Sequence, residues 1–329
     1  KTLLRIFPMK YGAWIHEREL PLEEQICAAR QSGLHSIRSY SLDYARRAAP
    51  ALKQYDMSLL AGMHIEAEAL AVDWRSQVRL DELAEVHSLS VKLEGICVGN
   101  ELRQGGDAFD SKRFTARLAF GLANVLDTYR HWMRERGLTT PLTYAMEGIV
   151  FDQYGRFHEW VLPLIDACDI VSINLYPMDV PAWSTFAAFD ESRKFLTDRR
   201  VYHDRLSLYE LQLRQVLSQL EHMGKPMMFS ETGFPSAIGY KIENETLVIP
   251  QTNNALYESA MSEFMARIRA VNAEFKDRIR ALYFYEWRDN LYHSKIWNIE
   301  QSPIHVAFGL CDRFGIPKFD IRKLLEDHK

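Results

Sequence analysis

The sequence predicts an α/β protein of the (β/α)₈ TIM-barrel class, a single domain over residues 1–329, with an enlarged loop after the sixth strand. Three observations carry that expectation. Short apolar runs rich in Val, Ile, Leu, Phe and Tyr recur along the chain. Longer segments of helical periodicity separate them. The runs number eight, the count that closes a small parallel barrel.

In order, the runs are LLRIFPM (3–9), SIRSYS (36–41), SLLAGMHI (58–65), EGICVGNE (94–101), LTYAME (142–147), DIVSINLYP (169–177), PMMFSE (226–231) and ALYFYEW (281–287). The helices between them show by spacing. From Asp110 to Gly137, Phe114, Leu118, Leu122, Val125, Tyr129 and Trp132 fall at steps of three and four, an apolar stripe made to pack on a sheet. Tyr209, Leu213, Val216, Leu217 and Leu220 repeat the design before Gly224. Gly33, Gly137 and Gly224 each stand where a helix would end in a left-handed residue just ahead of a strand. The stretch 178–205 exceeds the usual βα connection and is expected to wall the cleft. No Gly/Pro/Ser-rich linker divides the chain, and no short internal repeat appears beyond the βα alternation.

Composition removes several function classes. The net charge of −4 arises from 44 acidic and 40 basic residues spread along the chain, which leaves no electrostatic footprint for nucleic acid. No apolar run reaches the roughly 18 to 20 residues of a membrane-spanning helix. The opening KTLLRIFPMKYGAW lacks a signal-peptide pattern, and a start at Lys1 rather than Met leads to the expectation that an upstream leader has been removed. Cys27, Cys97, Cys168 and Cys311 are scattered singly, without zinc or disulfide spacing, and are expected to be buried small hydrophobes. The histidines show no HExxH and the glycines no GxGxxG or Walker pattern, so neither a metal nor a nucleotide cofactor is expected. Oligomeric state is not legible.

In a parallel barrel the catalytic side chains project from the C-terminal ends of strands. Two glutamates stand there in matching context: Glu101 after Val98, Gly99 and Asn100 on the fourth strand, and Glu231 after Phe229 and Ser230 on the seventh. Two carboxyl groups across a barrel mouth suit glycosidic cleavage, one protonating the leaving oxygen and the other attacking or activating water; retention needs them about 5–5.5 Å apart. The charge of one carboxylate keeps its neighbour protonated.

The words around these residues resemble glycoside hydrolase family 17, the β-1,3-glucanase family. Val98-Gly99-Asn100-Glu101 is similar to its fourth-strand V-G-N-E, and Glu231-Thr232-Gly233-Phe234-Pro235-Ser236 to its E-T-G-W-P-S. IRSY (37–40), NLYP (174–177) and EWRDNLYHSK (286–295) resemble further segments in the same order. The resemblance implies a retaining β-glucan hydrolase or transglycosylase working without cofactor, β-1,3-glucan being favoured. It makes Glu101 the acid/base, Glu231 the nucleophile, Asn100 a partner of the sugar 2-hydroxyl and Tyr176 a hydrogen-bond donor to the nucleophile. Such a substrate favours an extracytoplasmic address. Phe234 in place of Trp, Arg288 where an aromatic is usual, and the unmatched 178–205 bear on linkage and chain length rather than on mechanism. The alternative is a barrel that binds polysaccharide without cleaving it, which is how a scaffold lacking its carboxylates behaves; both are present here.

Sugar sites also use aromatic faces and planar polar groups. Tyr40, Tyr176, Trp183, Phe234, Trp287 and Trp297 are candidate subsite walls, with core packing the competing reading for each. Glu286, Arg288 and Asp289, together with Arg38, form a second group expected to orient Glu231 or bind a hydroxyl, with a structural ion pair the equal competing reading. Glu66, Glu68, Glu147 and His64 also lie at or just beyond strand ends, without a surrounding motif.

Overall fold

Strands buried on both faces need near-continuous apolar sequence, and that is how these strands read. SLLAGM (Ser58–Met63) and MMFSET (Met227–Thr232) are buried at every position. The structure is a computed structural model that describes residues 9–103, 114–152, 154–179, 195–243, 247–291 and 306–326. Its strands are β1 (Lys10–Trp14), β2 (Ser36–Arg38), β3 (Ser58–Met63), β4 (Leu93–Asn100), β5 (Leu142–Glu147), β6 (Val171–Asn174), β7 (Met227–Thr232), β8 (Ala237–Glu243), β9 (Leu247–Thr252) and β10 (Ile279–Phe284). All but β8 and β9 close a parallel barrel in the order β1-β10-β7-β6-β5-β4-β3-β2, the predicted (β/α)₈ architecture.

Two elements differ from expectation. The first strand is KYGAW at Lys10–Trp14, not the run at 3–9, most of which lies outside the described residues. Its register explains the error, because a Cβ on Gly12 would sit 2.6 Å from the Tyr283 ring and 2.8 Å from the Ser36 carbonyl oxygen. Close approach to β10 and β2 demands small residues, which dilutes the apolar signal. The second difference is an antiparallel hairpin, β8 with β9, inserted after β7.

The stripe on the helix Ala116–Glu135 faces the sheet, with Leu118, Leu122, Val125 and Tyr129 fully buried. Each buried aliphatic side chain of this kind contributes about 1.5–3 kcal/mol. Thr115 caps that helix by accepting from the Leu118 amide, and Gly33, Gly137 and Gly224 adopt the left-handed φ values of 92°, 66° and 67° expected of helix ends. The helix before Gly224 starts at Arg199, so 199–205, expected as loop, is helical, while 180–194 lies outside the described residues.

Leu60, Cys97, Ala145, Met228, Ala281 and Tyr283 fill the barrel interior, with Ser36 hydrogen-bonded to Tyr283 at 2.9 Å. This plug leaves the C-terminal mouth as the place for a site. Cys97, Cys168 and Cys311 are buried and free, whereas Cys27 is partly exposed. Among the described residues no helix is long and apolar enough to cross a membrane, and no cluster of His, Cys, Asp or Glu could hold a metal.

Candidate active site

At the end of β4 the chain turns sharply. Gly99 and Glu101 both take left-handed backbone, φ 84° and 44°, a conformation that costs a non-glycine residue about 1–2 kcal/mol. The Glu101 amide is anchored to the Ala145 carbonyl on β5 at 3.1 Å, which helps hold the turn in place. The end of β7 is extended and deeply buried, with Ser230 and Thr232 wholly inaccessible and Glu231 only 6% exposed.

Three donors converge on Glu231. Arg38 Nη1 and Tyr40 Oη donate to Oε1 at 2.6 and 2.8 Å, and Tyr176 Oη donates to Oε2 at 2.5 Å. A guanidinium and two phenols form a set suited to an anionic carboxylate in fixed orientation. Arg38 also donates to the Ser230 carbonyl at 2.7 Å and, through Nη2, to Asn100 Oδ1 at 2.6 Å. Asn174, in register with Glu231, completes the link: its Nδ2 donates to Asn100 Oδ1 at 3.1 Å and to Glu101 Oε1 at 2.8 Å, while its Oδ1 accepts from Ser230 Oγ at 2.6 Å. One hydrogen-bond network therefore holds both glutamates at one mouth, although β5 and β6 separate their strands.

The two carboxyl groups have different environments. Burial first, then the negative charges of Glu231 and Glu147, push the Glu101 carboxyl up to about 8, against a smaller opposing pull from the Asn174 hydrogen bond. Glu101 thus carries its proton at neutral pH. Burial and the charge of Glu231 hold the Tyr40 and Tyr176 phenols well above their ordinary range, so both remain neutral donors. A cavity of about 140 Å³ adjoins this network, lined by Arg38, Tyr40, Gly62, His64, Asn100 and Leu102 among others.

An aromatic rim borders the mouth. Trp14 at the end of β1 stacks on Tyr285, rings 5.8 Å apart and 9° from parallel, and meets Tyr40 edge-on at 5.5 Å; Tyr176 meets Tyr285 and Phe308 edge-on. Trp14, Tyr285 and Asn174 were not among the residues predicted for the site. The signal for Trp14 was its place at a strand end, hidden by the misplaced β1, and Asn174 ends β6 as Asn100 ends β4.

Several predicted sugar contacts lie elsewhere. Phe234 is fully buried among Phe195, Tyr202, Tyr257 and Phe264, and Trp287 is 1% exposed, so both pack the core rather than wall a subsite. Arg38, 1% exposed, donates to Glu231, which matches the orienting role among those expected of its group. Asp289 pairs with Lys318 at 2.6 Å and accepts from the Gly309 amide, tying the segment after β10 to the C-terminal region; burial, opposed by Lys318, raises its carboxyl to about 6. Glu286 is wholly buried, as is Arg288, which joins Gln25 and Glu19 with the carbonyls of Arg18 and Arg313. Glu66 and Glu68 are exposed, whereas Glu147 forms a bidentate pair with Arg103. Trp183, Lys295 and Trp297 lie outside the described residues.

Neither a protein-family model nor a curated protein matches the sequence. Solved structures match. A glycoside hydrolase family 17 β-1,3-glucanosyltransferase from Rhizomucor miehei is 18% identical, with a TM-score of 0.57 over 94% of this chain and 96% of that one. An endo-laminarinase from Formosa Hel1_33_131 is 16% identical, TM-score 0.61, over 92% and 83%. A β-glucuronidase from Bifidobacterium dentium, 14% identical with a TM-score of 0.62, matches over 96% of this chain but 46% of its own length. At these identities the likeness establishes the barrel fold.

Proposed function

We propose that this chain is a retaining glycosidase or transglycosylase of β-linked glucan, with β-1,3-glucan the favoured substrate, acting through a covalent glycosyl-enzyme. The single observation that carries the reading is the pair of unlike glutamates in one hydrogen-bond network, Glu101 protonated and Glu231 held by Arg38, Tyr40 and Tyr176. Glu231 attacks the anomeric carbon as Glu101 passes its proton to the departing glycosidic oxygen, leaving an α-glycosyl ester on Glu231 and an ionised Glu101. Glu101 then takes a proton from water or from a sugar hydroxyl, which attacks the same carbon, displaces Glu231 as a free carboxylate and restores the β configuration. Asn100, whose Oδ1 is engaged by Arg38 and Asn174, offers its amide Nδ2 to the 2-hydroxyl. The substrate class is supported by the segments resembling family 17 and by the β-1,3-glucanosyltransferase and endo-laminarinase among the structural neighbours.

Incubation with laminari-oligosaccharides, followed by NMR from the first minutes, is expected to show the β-anomer of the product before mutarotation. Early α-anomer refutes retention, and inertness toward β-1,3-, β-1,4-, β-1,6- and β-1,2-glucans refutes the substrate class. Glu231→Gln is expected to lower the rate by about 10⁴-fold or more, in line with removal of a covalent nucleophile. Longer products at high oligosaccharide concentration would identify transfer, and shorter ones hydrolysis.

A further inference from the structure

Glu147 closes β5 and Arg103 follows Glu101 by two residues; their side chains meet in a bidentate pair, Arg103 Nε donating to Glu147 Oε1 at 2.9 Å and Nη2 to Oε2. Both are partly exposed, Arg103 28% and Glu147 15%. Two independent constraints bring this pair to the acid/base. The Glu101 amide is bonded to the carbonyl of Ala145, which shares a strand face with Glu147. Glu147 is also in register with Asn174, the residue that donates to the Glu101 carboxyl. Resting on the reading of Glu101 as acid/base, we propose that Arg103 and Glu147 are positioning residues whose opposed charges offset one another beside Glu101, so that neither alone displaces the pH range in which it works.

Among the described residues, the groups facing Glu101 are Tyr144 and Glu147 from β5, Tyr176 after β6, Glu231 from β7, Tyr285 after β10 and Arg103 on its own segment. Burial keeps the three phenols neutral, which leaves, among the described residues facing it, Glu231, Glu147 and Arg103 as the charges that act on it. Glu231 loses its charge when it becomes the glycosyl ester. Glu147 and Arg103 take no part in the covalent step and act on Glu101 in opposite senses, Glu147 raising its proton affinity and Arg103 lowering it. Removing one of the two takes away its own pull on Glu101 and leaves the opposite pull of the other in place.

The test is the alkaline limb of kcat/KM on a laminari-oligosaccharide, joined to a ¹³C-carboxyl NMR titration of Glu101 that needs no turnover. Glu147→Gln leaves the guanidinium and is expected to move both readouts down by about one pH unit. Arg103→Gln leaves the carboxylate and is expected to move both up by a similar amount. The double variant Arg103→Gln/Glu147→Gln should return close to the parent. Opposite displacement that cancels in the double variant is something mere loosening of the β4 and β5 ends cannot produce. Shifts of the same sign, or an unmoved titration in well-folded variants, overturn the inference. A protein inert on every glucan with the NMR shifts intact would overturn the proposed function while leaving the role of the pair standing.

Discussion

Glu101 and Glu231 were legible because strand-end carboxylates carry their own sequence context, V-G-N-E and S-E-T-G, whereas depth has no such marker. Arg38 was visible as a charged residue on β2, but nothing in its neighbours showed how deeply its guanidinium would be buried against Glu231. That position has a consequence. Breaking a buried ion pair by deleting one partner costs about 3–5 kcal/mol, so Arg38→Met is expected to lower the denaturation midpoint substantially as well as the rate. Equilibrium urea unfolding checks it, and an unchanged midpoint would show that the pair is dispensable to the fold. Glu101 makes the opposite case. Its folded-state proton affinity is raised from the ordinary 4.5 to about 8, so its contribution to stability is fully present below pH 4.5 and is lost as pH rises through 8. Glu101→Gln removes that dependence. The variant is expected to melt above the parent at pH 9, with the gap closing toward pH 4.5, as read by circular dichroism; a gap constant with pH would contradict the assigned environment.

Among the elements, helices with a long stripe such as Ala116–Glu135 were readable because 3.6-residue periodicity survives any detail of packing. β1 was not, because the barrel selects its residues for smallness where β10 and β2 come close. Gly12→Val tests that account: branched carbons would be forced against the Tyr283 ring and the Ser36 carbonyl, and overpacking of this kind costs about 1–3 kcal/mol. Denaturant titration should show the loss, and a neutral outcome would mean that β1 can move outward freely. Correct placement of β1 also would have brought Trp14 to a strand end, where the rule that located the glutamates would have found it. Phe234 and Trp287 were misassigned by the converse effect. Phe234 follows Glu231 in the segment that resembles E-T-G-W-P-S and Trp287 follows β10, yet both rings are buried in the hydrophobic core.

At the scale of the whole molecule, eight strand ends deliver residues from across the chain to one mouth, so protonation at Glu101 depends on charges contributed by β4, β5 and β7 together. In the proposed mechanism the formation of the glycosyl-enzyme requires the protonated form, and kcat/KM on a natural glucan is therefore expected to fall about tenfold per pH unit above roughly pH 8. Such a limb belongs to Glu101 only if it vanishes when protonation is not needed. A 2,4-dinitrophenyl β-glycoside departs without a proton, so its first step should stay level through the same range in stopped-flow measurement of phenolate release. The same substrate should rescue much of the loss of about 10²–10⁴-fold that Glu101→Gln causes on a natural glucan. An alkaline limb shared equally by both substrates would instead assign the titration to a group that binds sugar or holds Glu231, and would remove Glu101 from the role of acid.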